Sequence, residues 1–212
     1  ILYKISLVSI ALILLLVSPA ALAATEESTS LQTTETKIIT CRYGSPAIYD
    51  NKIVWSDYRD ENWSVYMYDL STKKETQITT SGEAYNPDIY GNRIVWVDLR
   101  DKDTLKVYMY DLSTKKETQI TTCGSAYDPV IYGNRIVYEV YRDWNSDIYM
   151  YDLSTKKETR ITSSPDKQAA PAIYGNKIVW EDDGGEDDGE TNHGIFMYDI
   201  STNQKMRISA SG

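Results

Sequence analysis

One phrase recurs four times along the chain, and the spacing of its copies limits the fold to very few architectures. The run from Val65 to Thr80 returns almost letter for letter at 107–122, again at 148–162 and, with more changes, at 195–209. Pro46, Pro87, Pro129 and Pro171 keep the same interval, stepping by 41, 42 and 42 residues, as do Trp55, Trp96, Tyr138 and Trp180. Repeats of about 40 residues build solenoids or propellers, because one such unit cannot bury its apolar face alone and must stack on its neighbours.

Each repeat reads as four short strands. In the second copy these are Pro87–Tyr90, Arg93–Asp98, Val107–Leu112 and Glu117–Thr121. The first pair is joined by Gly91-Asn92, a two-residue hairpin signal that favours positive φ. A polar connection, Leu99 to Lys106, precedes the third strand, and Ser113 to Lys116 turn the chain into the fourth. No stretch holds the 3.6-residue apolar period of a helix, so the chain is expected to be all-β. The third strand is apolar on both faces of its pleat, through Val65, Tyr66, Met67, Tyr68 and Leu70, and needs cover on both sides. Radially arranged sheets supply two such walls, and tyrosine suits the place because its ring packs while its hydroxyl reaches a polar rim. The expected fold is a β-propeller of four-stranded antiparallel blades, at about 41–80, 81–122, 123–163 and 164–209.

The first 23 residues stand apart from this pattern. Lys4 precedes an apolar stretch from Ile5 to Val17, and Ala21-Leu22-Ala23 supplies the small residues of a signal-peptidase site. Residues 1–23 are read as a secretory signal, with an uncleaved anchor as the other reading, and the mature chain as extracytoplasmic without a membrane span. Residues 24–35, rich in Thr, Ser and Glu, form a flexible leader. The chain opens on Ile1 and not Met, which suggests a fragment of a longer sequence. A net charge of −9 argues against a nucleic-acid partner, because phosphates need a cationic face. Cys41 and Cys123 lie two repeats apart, too far to bridge in a rigid array, and are expected to be free thiols.

The stretch Ile53 to Leu70, with Ser56-Asp57-Tyr58-Arg59-Asp60-Glu61-Asn62 leading to Val65-Tyr66 and Asp69, resembles the TolB-like β-propeller repeat. Ile94 to Leu112 and Ile136 to Leu153 are similar, and the likeness covers nearly all of 37–212. The chain departs from the family where Tyr-Gly-Asn replaces the usual Ser-Pro-Asp-Gly turn, and where Glu61, Thr104 or Asn145 replaces a later glycine. The copies also resemble repeat arrays on surface proteins of methanogenic archaea, which implies binding or scaffolding at the cell envelope. A fold shared by many functions does not choose among them.

Strand direction sorts the loops onto two faces. The 1–2 and 3–4 turns repeat with little change on one face, here called face two. The 2–3 turns, from Tyr58 to Asn62, Leu99 to Thr104, Tyr141 to Ser146 and Asp182 to His193, vary on face one. Variation within one chain marks a contact surface or drift in unconstrained loops. The candidate binding residues on face one are Asp57, Arg59, Trp63, Asp98, Arg100, Arg142 and Trp144. A ring of guanidinium groups would suit an anionic partner, whereas Arg-Asp pairs more often tie their own turn. The acidic run containing Asp182, Asp183, Glu186, Asp187 and Asp188 is a weak calcium candidate that lacks EF-hand spacing. His193, the one histidine, makes no persuasive transition-metal site. Asn62-Trp63-Ser64 is a glycosylation sequon. Lysines of the 3–4 turns are expected to make face two basic, and the aspartates to make face one acidic.

Catalytic motifs are absent: the chain has no Gly-x-Ser-x-Gly elbow, no His-Glu-x-x-His and no phosphate-cradling glycine loop. The expected function is a secreted or surface-attached, non-enzymatic propeller binding protein or polysaccharide of the envelope, with no cofactor beyond possible calcium. The alternative is the propeller portion of an envelope-polymer hydrolase or lyase. Residues 36–40 repeat the fourth-strand phrase ahead of the first full copy, giving five fourth strands to four of the others. The expectation is therefore an open arc of four blades, with further repeats closing a ring of six to eight.

Overall fold

Each repeat folds into one antiparallel meander. The computed structural model describes residues 44–80, 83–100, 103–122, 124–184 and 193–209. The signal, the leader, the strand phrase at 36–40 and both cysteines lie outside them. Blade 1 holds β1 (Ala47–Tyr49), β2 (Lys52–Arg59), β3 (Asn62–Asp69) and β4 (Lys74–Gln77). Blade 2 holds β5 (Ala84–Tyr90), β6 (Arg93–Asp98), β7 (Lys106–Asp111) and β8 (Lys116–Gln119). In blade 3 these are β9 (Ser125–Tyr132), β10 (Arg135–Arg142), β11 (Asn145–Asp152) and β12 (Lys157–Arg160). Blade 4 comprises β13 (Gln168–Tyr174), β14 (Lys177–Asp182), β15 (Gly194–Asp199) and β16 (Gln204–Arg207). In each sheet the strands pair in sequence order, and no helix occurs among the described residues.

The first strands of successive blades lie beside one another, so they are the inner strands, while the fourth strands are exposed along their whole length. Blade 1 packs on blade 2, blade 2 on blade 3 and blade 3 on blade 4; no comparable packing joins blade 4 to blade 1 among the described strands. The unit is an open, four-bladed arc, as the strand count anticipated.

Three apolar clusters hold the arc, and each straddles one junction. Val54 and Val65 of blade 1 meet Ile89, Ile94, Trp96 and Tyr108 of blade 2. Val95, Val97, Val107 and Ile120 of blade 2 meet Ile131, Ile136 and Tyr138 of blade 3. Val137, Ile148 and Met150 of blade 3 meet Ile178 and Trp180 of blade 4. The two-sided apolar pattern of the middle strands has its cause here: alternate residues face the preceding and the following blade.

The inner strands of blades 2 to 4 are longer than the sequence suggests, starting three residues earlier in blade 2. The extra length carries a bulge, with register shifts between Tyr85 and Asp88 and between Ala169 and Ala172. At the residue before each repeat proline the backbone turns left-handed: Ser45 (φ 59°), Asn86 (46°), Asp128 (45°) and Ala170 (51°). Side chains at this point link the blades, Ser45 Oγ donating to Asn86 Oδ1 (3.2 Å) and Asn86 Nδ2 to Asp128 Oδ1 (2.8 Å). The fourth strands end two residues early, at Gln119 in place of Thr121, because a threonine side chain takes over the ladder. Val65 N donates to Thr79 Oγ1 (3.0 Å), Val107 N to Thr121 Oγ1 (3.0 Å) and Ile148 N to Thr162 Oγ1 (2.9 Å). That bond explains why the threonine returns in the first three copies, with Ser209 Oγ taking the Ile195 N–H in the fourth (2.8 Å).

The 3–4 turns repeat for a similar reason. Asp69 Oδ1 accepts the N–H groups of Ser71 and Thr72 (2.9 Å each), and Asp111 and Asp152 do the same in their blades. The N–H groups of Thr72, Thr114 and Thr155 lead in holding these three carboxyl groups below the ordinary aspartate range. A carboxylate with a depressed folded pKa stabilises the fold above its unfolded pKa and loses that contribution as pH falls through the folded value. All three turns therefore weaken together below about pH 4. Urea midpoints measured between pH 6 and 2.5 should fall across this window, and should fall less when Asp69, Asp111 and Asp152 are all Asn; an unchanged slope in that variant would contradict the assignment.

Candidate functional site on the variable face

Antiparallel pairing places the 2–3 turns at one end of every sheet and the 1–2 and 3–4 turns at the other. Lys52, Lys73, Lys74, Arg93, Lys115, Lys116, Arg135, Lys156, Lys157 and Lys177 all fall at the face-two end. Asp57, Asp60, Asp98, Asp103, Asp143, Asp147 and Asp182 fall at the face-one end, so the two sets do not mix. Face one also holds Lys106, Arg160 and Arg207, bases that the sequence reading passed over.

On face two the repeated residues join blade to blade. Arg93 Nη1 donates to Gly133 O (3.3 Å) and Asn134 Oδ1 (2.7 Å), and Arg135 Nη1 to Gly175 O (3.3 Å) and Asn176 Oδ1 (2.8 Å). Beside them Tyr49, Tyr90, Tyr132 and Tyr174 form a ladder of tilted rings with centroids 4.6, 4.8 and 5.0 Å apart. Monotony there is a packing requirement.

On face one the equivalent arginines behave differently from blade to blade. Arg59 is held by Asp57 (2.6 Å) and Glu75 (2.5 Å) and lies 4.2 Å from the centroid of the Tyr66 ring. Arg100 repeats this with Asp98 (2.7 Å), Glu117 (2.5 Å) and Tyr108 (3.9 Å). Each guanidinium thus ties the second strand to the fourth across the third strand's aromatic ring. The bond to Glu75 leads in raising the Arg59 pKa; for Arg100 burial opposes the charge, and the bonds to Asp98 and Glu117 outweigh it. The arginines pair with these carboxylates, not with the adjacent Asp60.

Blade 3 loses both anchors. Val140 stands where Asp57 and Asp98 stand, and Tyr138, in place of Trp55 and Trp96, donates its hydroxyl to Glu158 at 2.5 Å. Arg160 and Asp147 form a new strand-to-strand pair (2.6 Å). Arg142 is left with a 4.0 Å approach to Asp143 and a 3.3 Å bond to the Tyr149 hydroxyl, and its side chain is 52% exposed. Two residues on, Trp144 is 87% exposed. It occupies the tip of the β10–β11 hairpin, where Asp143 (φ 53°) and Trp144 (φ 68°) are both left-handed. Left-handed φ favours Asn, Asp or Gly; a bulky residue there is an outlier held in place by its hairpin.

The other candidates are more enclosed. Trp63 is half-buried between Tyr58 and Tyr85, with centroids 5.6 and 5.3 Å away. Asp57 and Asp98 are buried in the arginine networks, and Asp98 also accepts the Trp96 Nε1–H (3.1 Å). Asn62 is exposed, its Nδ2 donating to Asp60 O (2.9 Å). Of the acidic run, Asp182 approaches Lys205 (3.8 Å) and Asp183 approaches His193 Nδ1 (3.3 Å), while Glu186, Asp187 and Asp188 lie outside the described residues. Among the described residues no group of three or more His, Cys, Asp or Glu is placed to hold a metal ion.

The sequence reading treated the three arginines as equals and missed the role of Glu75, Glu117 and Tyr138. The signal was present in the aligned copies: Val140 breaks the Asp57–Asp98 column.

No protein-family model matches the chain. No curated protein matches it by sequence. Solved structures do match by fold. TolB from Acinetobacter baumannii aligns at TM-score 0.63 and 21% identity over 78% of this chain and 43% of its own. The β-propeller domain of the Trilobed protease from Pyrococcus furiosus, described as having an open velcro topology, aligns at 0.60 and 10% over 82% and 59%. A puromycin-hydrolyzing peptidase from Mycobacterium tuberculosis aligns at 0.64 and 11% over 81% and 29%. The fold is that of the TolB-like β-propellers, and this chain spans less than two thirds of each of these three structures.

Proposed function

We propose that this chain is an extracytoplasmic, non-enzymatic propeller arc that binds a protein or polysaccharide of the cell envelope through face one. The observation that carries the reading is the β10–β11 hairpin. A tryptophan 87% exposed at φ 68° costs conformational and solvation energy that any Asn or Gly would avoid. Trp and Arg dominate the energetics of binding surfaces, and Arg142 is free of the carboxylates that lock Arg59 and Arg100. The apolar segment before Ala21-Leu22-Ala23 supports export, and the fold likeness to TolB supports an envelope role. A second reading, the propeller portion of an envelope-polymer hydrolase or lyase, draws on the likeness to the peptidase.

Binding is tested by co-sedimentation with isolated envelopes, intact or treated with protease or periodate to separate protein from polysaccharide. Trp144→Ala should weaken association at least about tenfold, with a stability change within about 0.5 kcal/mol as for other exposed sites. Lys73→Ala, on the opposite face, should leave association unchanged. Equal loss in both variants, or none in Trp144→Ala, would remove the hairpin from the reading.

A further inference from the structure

One spot in the junction between blades 3 and 4 carries polar side chains where its neighbour is apolar. Between blades 2 and 3, Val97, Leu105 and Ala126 fill this spot, and Ala126 N donates across it to Leu105 O (2.9 Å). In the aligned copies the same three positions hold Glu139, Ser146 and Gln168. The cross-blade link there is a side-chain bond, from Ser146 Oγ to Gln168 O (3.0 Å). Glu139 and Ser146 project toward blade 4 because they alternate with Val137 and Ile148, which pack on Ile178 and Trp180.

The cluster lacks one hydrogen. Ser146 and Gln168 are buried and Glu139 is half-buried. Gln168 Nε2 donates to Asp166 O, and Gln168 Oε1 has no donor among the described residues. The Ser146 hydroxyl is within hydrogen-bond reach of both Gln168 O and the Glu139 carboxyl, yet carries a single proton. With Glu139 ionised, that proton is drawn to the carboxylate and Gln168 O loses its bond. With Glu139 protonated, the carboxyl donates to Ser146 Oγ, and Ser146 keeps its bond to blade 4. A buried acceptor left without a donor weakens the junction. The other charged and titratable groups around Glu139 are Tyr141 on its own strand, Tyr127 and Asp128 on β9, and Asp166 and Lys167 on the link into β13. On the facing wall Asp182, which alternates with Ile178 and Trp180, approaches Lys205 (3.8 Å). Burial pushes the Glu139 carboxyl above the ordinary glutamate range; the Ser146 hydroxyl and Lys167 act against this, and Asp128 adds to it. A carboxyl raised in the folded state holds its proton better folded than unfolded, so the junction is strongest at low pH and weakens as pH rises through the folded value. The aspartates of the 3–4 turns act in the opposite direction.

We propose that Glu139, Ser146 and Gln168 form a proton-operated latch between blades 3 and 4, closed when Glu139 carries a proton and open when it is ionised. The latch stands at the foot of the β10–β11 hairpin, where Ser146 follows closely on Trp144 and Asn145 Nδ2 adds a fixed bond to Ser164 O (2.9 Å). Proton uptake therefore anchors the hairpin that presents Arg142 and Trp144, and proton release loosens it. The latch concerns the anchorage of that hairpin and holds whether or not the hairpin binds the envelope.

The test is amide hydrogen exchange of the full chain from about pH 5 to about pH 7.5, above the range in which the 3–4 turn aspartates titrate, with rates corrected for the intrinsic effect of pH. Protection of the β10–β11 hairpin and of the link into β13 should fall at least about threefold as pH rises over this range. Glu139→Gln, whose amide donates at any pH, should hold protection at the acid level throughout. Ser146→Ala should hold it at the lower level throughout, since no hydroxyl remains to switch. If Glu139→Gln loses its far-UV circular dichroism, Glu139→Ser replaces it, serine being the residue that blade 1 carries there as Ser56, and the profile should again be flat. Groups elsewhere that change charge over the range are common to parent and variants. A pH dependence that survives in either variant therefore belongs to them and overturns the proposal, as does a parent whose protection is constant or rises with pH.

Discussion

Replacing Trp96 by alanine is expected to cost about 3–5 kcal/mol, as large a loss as a single buried side chain in the arc offers. Trp96 is wholly buried, stacks on Tyr108 with centroids 6.1 Å apart, and fills the junction where Val54 and Val65 of blade 1 meet blade 2. Its truncation removes a large apolar area and leaves a void walled by two sheets that cannot collapse independently. It also removes one of the donors to Asp98. In a repeat array, weakening one junction also uncouples the units on either side. Urea denaturation should therefore show both a lower midpoint and a broadened or split transition. A loss below about 1 kcal/mol with an unchanged slope would mean that the junction is not cooperative in the way the cluster implies.

Asp98→Val should be the second large effect, at about 2–3 kcal/mol. The Asp98 carboxylate accepts from Arg100 Nη2 (2.7 Å), the Arg100 backbone N–H (2.9 Å) and Trp96 Nε1 (3.1 Å). Removing one member of a buried pair leaves the other charge uncompensated, which costs about 3–5 kcal/mol; the lower figure here reflects an Arg100 side chain 28% exposed and still paired with Glu117. Blade 3 shows how the fold tolerates valine at this point: its arginine turns outward. The double variant Asp98→Val/Arg100→Met should accordingly cost less than the sum of its singles, by about 1 kcal/mol or more in a double-mutant cycle. Additive losses would deny the coupling. By comparison, Arg142→Ala should change stability by less than about 0.5 kcal/mol.

These two effects separate what is legible along the chain from what is not. Trp96 recurs with Trp55 and Trp180 at the repeat interval, so its place in a junction could be read from spacing and from the two-sided pattern of the strands. The arginine networks could not, because their members come from three strands and the outcome depends on which carboxylate is within reach. Arg59 and Arg142 look alike in sequence, each followed by aspartate. One is clamped over a tyrosine and the other exposed, because Val140 and Tyr138 withdraw its partners.

The sequence by itself determined the strand count, the blade repeat, the two faces and the open end, since each follows from periodicity and short-range turn chemistry. The residues before the prolines were harder: the sequence starts the first strand at the proline, whereas in blades 2 to 4 the structure extends the inner strand through a left-handed bulge at Asn86, Asp128 and Ala170. Local preference opposes that conformation at Ala170, and only the packing of one inner strand against the next imposes it. Tertiary structure likewise decided which face-one side chains are bound within the scaffold and which project from it. Those assignments rest on distances of a few ångströms between residues 13 to 20 positions apart, as in Arg59 with Glu75, Tyr138 with Glu158 and Asp147 with Arg160. Sequence periodicity specifies that such strands meet, and the identity of a single neighbour then settles whether a charge is locked or presented to a partner.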